Sequence, residues 1–299
     1  MSELRVGLDE RGRLVAAALA ASNWPLLEQA QQPHATHAFA KQARQWGQPF
    51  AHHPAVRHMN DQLAASGGSQ NRTRTNADER GFLADEGAKN QAKSGTSASQ
   101  NALLEAIYAW GMGDGVLDGF AAETAVSELW LPQEEGWKTA VGELQNLLNL
   151  PALAHFLIQL TRQPVLPAIH ISPNLLFPAL SPVLAQAADG LHLLLPPPKA
   201  VGTSPPWPYR EDPGWVVTQL AQALLPHLLA EKSASLLPAH QTLLTHAAIA
   251  TCLAATLDPF EAQSYLLRSK KLHNLPQLPQ AMAQLEKYLA GEGDLLLGD

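Results

Sequence analysis

Most of the chain repeats apolar residues with the spacing of an amphipathic α-helix. The strongest case is Glu134–Leu150, where apolar residues such as Trp137 and Leu144 fall on one helical face. Pro151 follows this pattern and is expected to close the helix. Apolar spacing, alanine-rich composition and flanking prolines predict further helices at 13–22, 26–32, 34–46, 54–65, 102–110, 152–162, 215–231, 238–257, 259–271 and 276–289.

Three short segments have strand-like patterns instead. Leu4–Leu8 alternates apolar residues with others, and the residues after it, Asp9–Gly12, predict a turn. Val165–Ile171 and Gly190–Leu195 are β-like runs inside a stretch, residues 164–213, that holds twelve of the 23 prolines. Because proline interrupts long helices, this stretch is not expected to be helical. The pattern therefore predicts an α+β fold that is mainly helical with a small sheet.

Residues 66–101 differ from the rest of the chain in composition. Gly, Ser, Asn, Gln, Thr and mixed charges dominate, and Phe82 and Leu83 are the only large apolar residues. Such a segment buries too little surface to offset its ordering entropy, which predicts a flexible insertion. We therefore divide the chain into residues 1–65, the insertion 66–101, a helical part 102–163 and residues 164–299. Outside the insertion we expect one continuous domain.

Composition and charge limit the kinds of partner that the protein can bind and the cellular locations in which it is expected. The formal net charge is −7, so no basic surplus exists to neutralise phosphates, and nucleic acid is not expected as a partner. No window reaches the roughly 18 apolar residues of a membrane span. The N-terminal sequence lacks the pattern of a signal peptide, and the single cysteine, Cys252, excludes an internal disulfide. These features predict a cytoplasmic protein that does not bind membranes.

Catalytic motifs with local signatures are absent from the sequence. It contains no GxSxG elbow, no P-loop and no Rossmann glycine fingerprint. Cys252 stands among Ala, Thr and Leu residues of a predicted helix, which indicates an unreactive core thiol rather than a nucleophile.

The chain has twelve histidines, which raises the question of a metal site. An N-terminal group has no Asp, Glu or Cys at ligand spacing and is expected to be solvated or to cap helices: His34, His37, His52, His53 and His58. The later group comprises His227, His240 and His246. A zinc peptidase helix of the HExxH type needs a histidine, a glutamate next to it, and a second ligand one turn later.

If His227 is taken as the second histidine of such a motif, its spacing fixes the other two positions. The position of the first zinc ligand is then Ala223, and the position of the general base is Leu224. Both residues are apolar, and Pro226 lies within the same predicted helix. The catalytic apparatus of a zinc peptidase is therefore missing at the place where this pattern would require it.

Several segments occur in the order seen in one protein family. The Leu4–Leu8 strand precedes a helix, Phe50–Val56 has a His-Pro-x-Val pattern at a helix start, and Ser172–Pro178 has a Pro-Asn-Leu-Leu pattern. Gly190–Leu195 follows, where that family has its substrate-side edge strand, and the helix with His227 comes next. This layout resembles a bacterial zincin-like (gluzincin-like) family of uncharacterised putative metallopeptidases, with a degenerate HExxH motif.

The resemblance implies a zincin-like fold and a vestigial metal site. The third ligand of a gluzincin lies on a second helix, about twenty residues beyond the second histidine, and that offset corresponds to His246. The implied site positions are thus Ala223, Leu224, His227 and His246, with no zinc or other cofactor expected. The implied function is non-catalytic binding of a peptide or protein partner in the former cleft.

Two other functions remain open at this point. One is an active metal-dependent hydrolase that uses His227, His246 and a further ligand. The other is a helical scaffold unrelated to zincins. The sequence does not indicate an oligomeric state.

Overall fold

The computed structural model describes residues 4–31, 36–71, 101–113, 115–176, 181–198, 208–293 and 295. Over these ranges most residues are helical, and four short strands form a single sheet. The predicted fold class, mainly helical α+β with a small sheet, is therefore confirmed. The helices are α1 (Glu10–Ala21), α2 (Trp24–Gln31), α3 (Ala38–Gly47), α4 (Pro54–Asn71), α5 (described over 101–111), α6 (Asp118–Thr124), α7 (Val126–Trp130), α8 (Glu134–Leu147), α9 (Leu150–Thr161), α10 (Pro213–Leu228), α11 (Ala230–Ser233), α12 (Pro238–Thr256), α13 (Pro259–Leu272) and α14 (Leu278–Leu289).

The sheet consists of β1 (Leu4–Val6), β2 (Ile169–Pro173), β3 (Val183–Ala187) and β4 (Gly190–Leu195) in the order β1-β2-β4-β3. The strands β1, β2 and β4 are parallel, and β3 is antiparallel to β4. The expectation that Gly190–Leu195 is an edge strand is wrong, since β4 lies between β2 and β3. The edge strands are β1 and β3, and the sequence pattern did not predict β3.

Helix boundaries differ from the predicted ones where local capping was underestimated. The Asp9 side chain accepts a hydrogen bond from the Gly12 N–H, so α1 begins at Glu10 and the predicted turn is shorter. Pro151 lies in the first turn of α9 instead of closing α8, because proline lacks only a donor that a helix start leaves unpaired anyway.

The predicted insertion meets the described residues only at its two ends. Helix α4 continues to Asn71, since each residue added to an existing helix gains a hydrogen bond without a new nucleation cost. Residues 101–111 form α5. The remainder of the predicted insertion, residues 72–100, lies outside the described residues.

Helix α12 lies at the centre of the C-terminal helices. It packs against α9, α10, α13 and α14, and its middle residues are almost fully buried. Cys252 is among them, and burial raises the pKa of its thiol to about 12, in agreement with the expected unreactive core cysteine. No helix in the described ranges combines the length and apolar content that crossing a membrane requires.

Candidate functional site

The strand β3 borders a large cavity, together with α5 and α10. Its volume is about 790 Å³. Two of the site positions inferred from the sequence, Ala223 and His227, line it from α10. Leu224, the position of the missing general base, is completely buried and packs into the core. The remaining lining residues include the amides Asn101, Gln186, Gln219 and Gln222 and the carboxylate Glu105.

His246 lies apart from these residues. It lines a different cavity of about 410 Å³, which Pro226, Gln241 and Thr245 border as well. Its Nδ1 and the Tyr265 hydroxyl are 2.7 Å apart, and its ring centroid lies 4.5 Å from that of His273. Burial lowers the pKa of His246 to about 4. The structure therefore brings Ala223 and His227 to one cavity but places His246 at another.

The N-terminal histidines have separate partners. The His53 Nδ1 accepts the Ala55 N–H at 3.2 Å near the start of α4, and His58 stacks on Trp110 with ring centroids 4.3 Å apart. His37 caps α3 by accepting the N–H of Phe39 at 2.9 Å. His34 lies outside the described residues. His37 and His53 thus act as caps, and His58 acts as a stacking partner.

A second polar cluster forms across three strands, on the other face of the sheet. Arg5, His170 and His192 are directly paired in register on β1, β2 and β4, so their side chains share a face. The two imidazoles are stacked, with centroids 4.5 Å apart and planes 7° from parallel. The Arg5 Nε donates to the His170 Nδ1 at 2.6 Å.

Two carboxylates flank the rings of this cluster. The Asp9 Oδ2 lies 2.5 Å from the His192 Nδ1, while the other oxygen of Asp9 accepts the Gly12 N–H at 2.9 Å. Asp189, from the turn between β3 and β4, places Oδ1 2.9 Å from the His192 Nε2. Its Oδ2 pairs with the Arg11 guanidinium at 2.6 Å. Both nitrogens of His192 therefore face a carboxylate.

The electrostatics follow from these contacts. Burial alone would lower the pKa of His192, but the hydrogen bonds to Asp9 and Asp189 outweigh it and raise that pKa. The hydrogen bond with His192 lowers the pKa of Asp189 to about 2. Burial opposes ionisation of Asp9, yet its hydrogen bonds to His192 and Gly12 hold its pKa below the usual value. The pKa of His170 is lowered by burial and by the neighbouring His192 and Arg5.

The cluster opens into a cavity of about 360 Å³ at the β1–α1 loop. His170, Asp189 and His192 each offer one ligand-type atom, and these atoms lie within 4.8 Å of one another. Among the described residues this is the group of three potential metal ligands whose donor atoms lie this close together. No family model matches the sequence, and no curated protein or solved structure is significantly similar to it.

Sequence reasoning missed this cluster because its members are far apart along the chain. Parallel strand pairing brings together residues 5, 170 and 192, and no local sequence motif indicates that they are close in space. A local signal does exist, since His170 and His192 stand within the apolar strands as Ile-His-Ile and Leu-His-Leu. A polar residue at such a position is either paired or functional, because burying it unpaired is costly.

Proposed function

We propose that this chain binds an extended peptide segment of a partner protein along β3, in the cavity bordered by α5 and α10, and does not cleave it. The observation that carries this proposal is a strand edge next to a cavity that also contains polar side chains. A peptide that adds to such an edge gains main-chain hydrogen bonds, and neighbouring side-chain pockets provide its specificity.

The pairing of β3 identifies the backbone groups that face this edge. Gln186 is paired with Leu191, and the Leu191 N–H donates away from β3, to Ala168 at 2.8 Å. Because ladder bonds alternate along an antiparallel pair, the N–H and C=O of Gln186 point away from β4, to the side of β3 on which no strand of the described residues lies. The same alternation applies to Leu184, two residues earlier. Both residues also line the cavity.

The side chains around this edge suit a peptide better than a highly charged ligand. The side-chain amides of Gln186, Gln219 and Gln222 can each donate and accept hydrogen bonds, so they can pair with the N–H groups and with the C=O groups of a peptide. Leu184 and Leu191 add apolar surface for side chains of the ligand. Burial raises the pKa of Glu105, the acidic residue of the lining.

The part of the proposal that excludes cleavage is supported by the residues on α10. A metallopeptidase needs several zinc ligands and a general base around one metal ion. On α10 the only residue of this kind is His227, because the position of the first ligand is Ala223 and the position of the base is Leu224. We expect no zinc at His227. A hydrolase that uses His227 and His246 has less support, because the two histidines line different cavities.

The descent of this chain from a zincin-like metallopeptidase also remains part of the proposal. A helical scaffold unrelated to zincins would offer the same strand edge and cavity, so peptide binding does not depend on that descent. A cytoplasmic location belongs to the proposal as well. Its support is the presence of one cysteine in the whole sequence, which gives the chain no internal disulfide.

The proposal is tested by selecting peptides from a random display library and measuring their affinity by fluorescence anisotropy. Gln186→Pro removes the edge-facing N–H and leaves the hydrogen bonds between β3 and β4 in place. It is expected to weaken peptide binding by about tenfold, which corresponds to the loss of one or two hydrogen bonds. Gln186→Ala retains that N–H and is the matched control, with a smaller loss. Backbone N-methylation of the peptide is expected to weaken binding at alternate positions only, because a strand presents every second N–H to its neighbour.

Three outcomes would contradict the proposal. The first is that no peptide is selected above background. The second is that the selected peptides bind Gln186→Pro and N-methylated variants as tightly as the originals, which would exclude pairing with β3. The third is hydrolysis, detected by mass spectrometry of the bound peptide and abolished by His227→Ala, which would show an active enzyme.

A further inference from the structure

The geometry points to a divalent transition-metal site formed by His170, Asp189 and His192, on the sheet face opposite the peptide cavity. Ligand-type atoms of these residues already lie within 4.8 Å of one another. Two imidazoles and one carboxylate form a donor set that suits Zn²⁺, Co²⁺ or Ni²⁺, whereas Mg²⁺ and Ca²⁺ prefer oxygen ligands. The inference is independent of peptide binding and concerns residues other than the vestigial positions, for which no zinc is expected.

The orientation of His192 is set by Asp9. Asp9 contacts the His192 Nδ1, and its second oxygen is held by the Gly12 N–H at the start of α1. The side chains of Asp9 and His192 are only 9% and 4% exposed, so this arrangement is fixed by the core. A carboxylate on one imidazole nitrogen is the usual outer partner of a metal-binding histidine, because it orients the other nitrogen toward the metal. Here the other nitrogen, Nε2, faces Asp189.

Asp189 is positioned to bind a metal with its Oδ1. Its Oδ2 pairs with Arg11, which leaves Oδ1 directed at the His192 Nε2, 2.9 Å away. Two ligands of a tetrahedral Zn²⁺ ion lie roughly 3.3–3.5 Å apart, given bonds of about 2.0–2.2 Å. A movement of about half an ångström therefore brings these two atoms to the spacing of two zinc ligands, and Asp189 is 47% exposed at a turn. His170 completes the site by rotating out of its stacked position on His192. The metal replaces the proton shared by Nε2 and Asp189, and that proton leaves to solvent.

Arg5 competes with a metal for His170. Its guanidinium contacts both ring nitrogens, with Nε 2.6 Å from Nδ1 and a terminal nitrogen 3.1 Å from Nε2. A metal must displace the guanidinium from one of these nitrogens before His170 becomes a ligand. Removing the Arg5 guanidinium is therefore expected to strengthen metal binding, an effect that a purely structural histidine pair would not show.

The test is isothermal titration of chelator-treated, tag-free protein with Zn²⁺, together with visible absorption of the Co²⁺ form. We expect one ion per chain, with a Co²⁺ spectrum of low coordination number. Asp189→Asn and His170→Ala are expected to weaken binding by about tenfold or more, and Asp9→Asn by about 10- to 100-fold. Arg5→Gln is expected to tighten it. His227→Ala and His246→Ala are the matched histidine controls and should leave the affinity unchanged.

The outcomes separate the proposal from its alternatives. Absence of binding in the wild-type protein and in Arg5→Gln would overturn it. Zinc binding could instead be unaffected by Asp189→Asn and His170→Ala and lost in His227→Ala. This result would show that the metal binds at α10, and it would contradict both this inference and the proposed function. Asp189 is half-exposed, so Asp189→Asn is expected to fold even where a change at the buried His192 prevents folding.

Discussion

Gly47→Ala is expected to destabilise the fold because the last residue of α3 touches the backbone of α1. A Cβ atom at this position would lie 2.7 Å from both the Cα and the Cβ of Ala21. Ordinary carbon contacts are about 3.5–4.0 Å long, so the two helices must separate by about an ångström at this point. The backbone itself imposes no such penalty, because Gly47 has a helical φ of −73° that any residue adopts.

The expected cost is about 1–3 kcal/mol, the usual effect of inserting an atom into a packed contact. Gly142→Ala is the matched control. It lies inside α8, and a Cβ there would meet nothing within 4 Å. Alanine is the better helix former, so this change is expected to stabilise the protein by about 0.5–1 kcal/mol. Urea denaturation followed by far-ultraviolet circular dichroism measures both. Equal stability changes in the two variants would refute the close contact between α1 and α3.

Two further predictions concern buried groups. The pKa of His246 is lowered from 6.5 to about 4 in the folded state, so between these values the unfolded chain binds a proton that the folded chain does not. The free energy of unfolding should therefore fall as the pH decreases from about 6.5 to 4. Urea unfolding across this range should show a smaller decrease for His246→Gln, whereas His155→Gln, at an exposed position, should behave like wild type. Cys252 is completely buried, so a thiol reagent should label it only as fast as the protein unfolds, and rapid labelling of the native protein would contradict its placement in the core.

The sequence pattern was sufficient for elements whose burial repeats at a fixed period. Helix α8 follows the spacing of Trp137 and Leu144, and both side chains are almost fully buried. The strand β4 follows a run that is apolar except at His192, and its leucines are buried. The strand β3 was missed because its sequence, Val-Leu-Ala-Gln-Ala, is short and has only two large apolar residues. Such an edge strand is stabilised by pairing more than by its own composition.

The candidate sites were harder to predict than the elements that carry them. Comparison with an HExxH motif selected His227, which lines the cavity beside α10, and it grouped His246 with His227 on sequence distance alone. The direction of a helical side chain depends on rotation about the helix axis, and the α12 position of His246 faces Tyr265 on α13. The histidine cluster depends on strand pairing between residues 165 positions apart, Arg5 and His170, which no local spacing encodes.

The two proposed sites share the β3–β4 hairpin, yet they are physically separable. Side chains alternate between the faces of a sheet, so Leu191 borders the peptide cavity while the next residue, His192, belongs to the polar cluster. On β3 the same alternation places Gln186 at the cavity. Asp189→Asn therefore changes a proposed metal ligand without altering the peptide edge, and Gln186→Pro changes the edge without altering a proposed ligand. Each substitution is a control for the other, so a loss of both activities in one variant would indicate damage to the hairpin rather than support for either site.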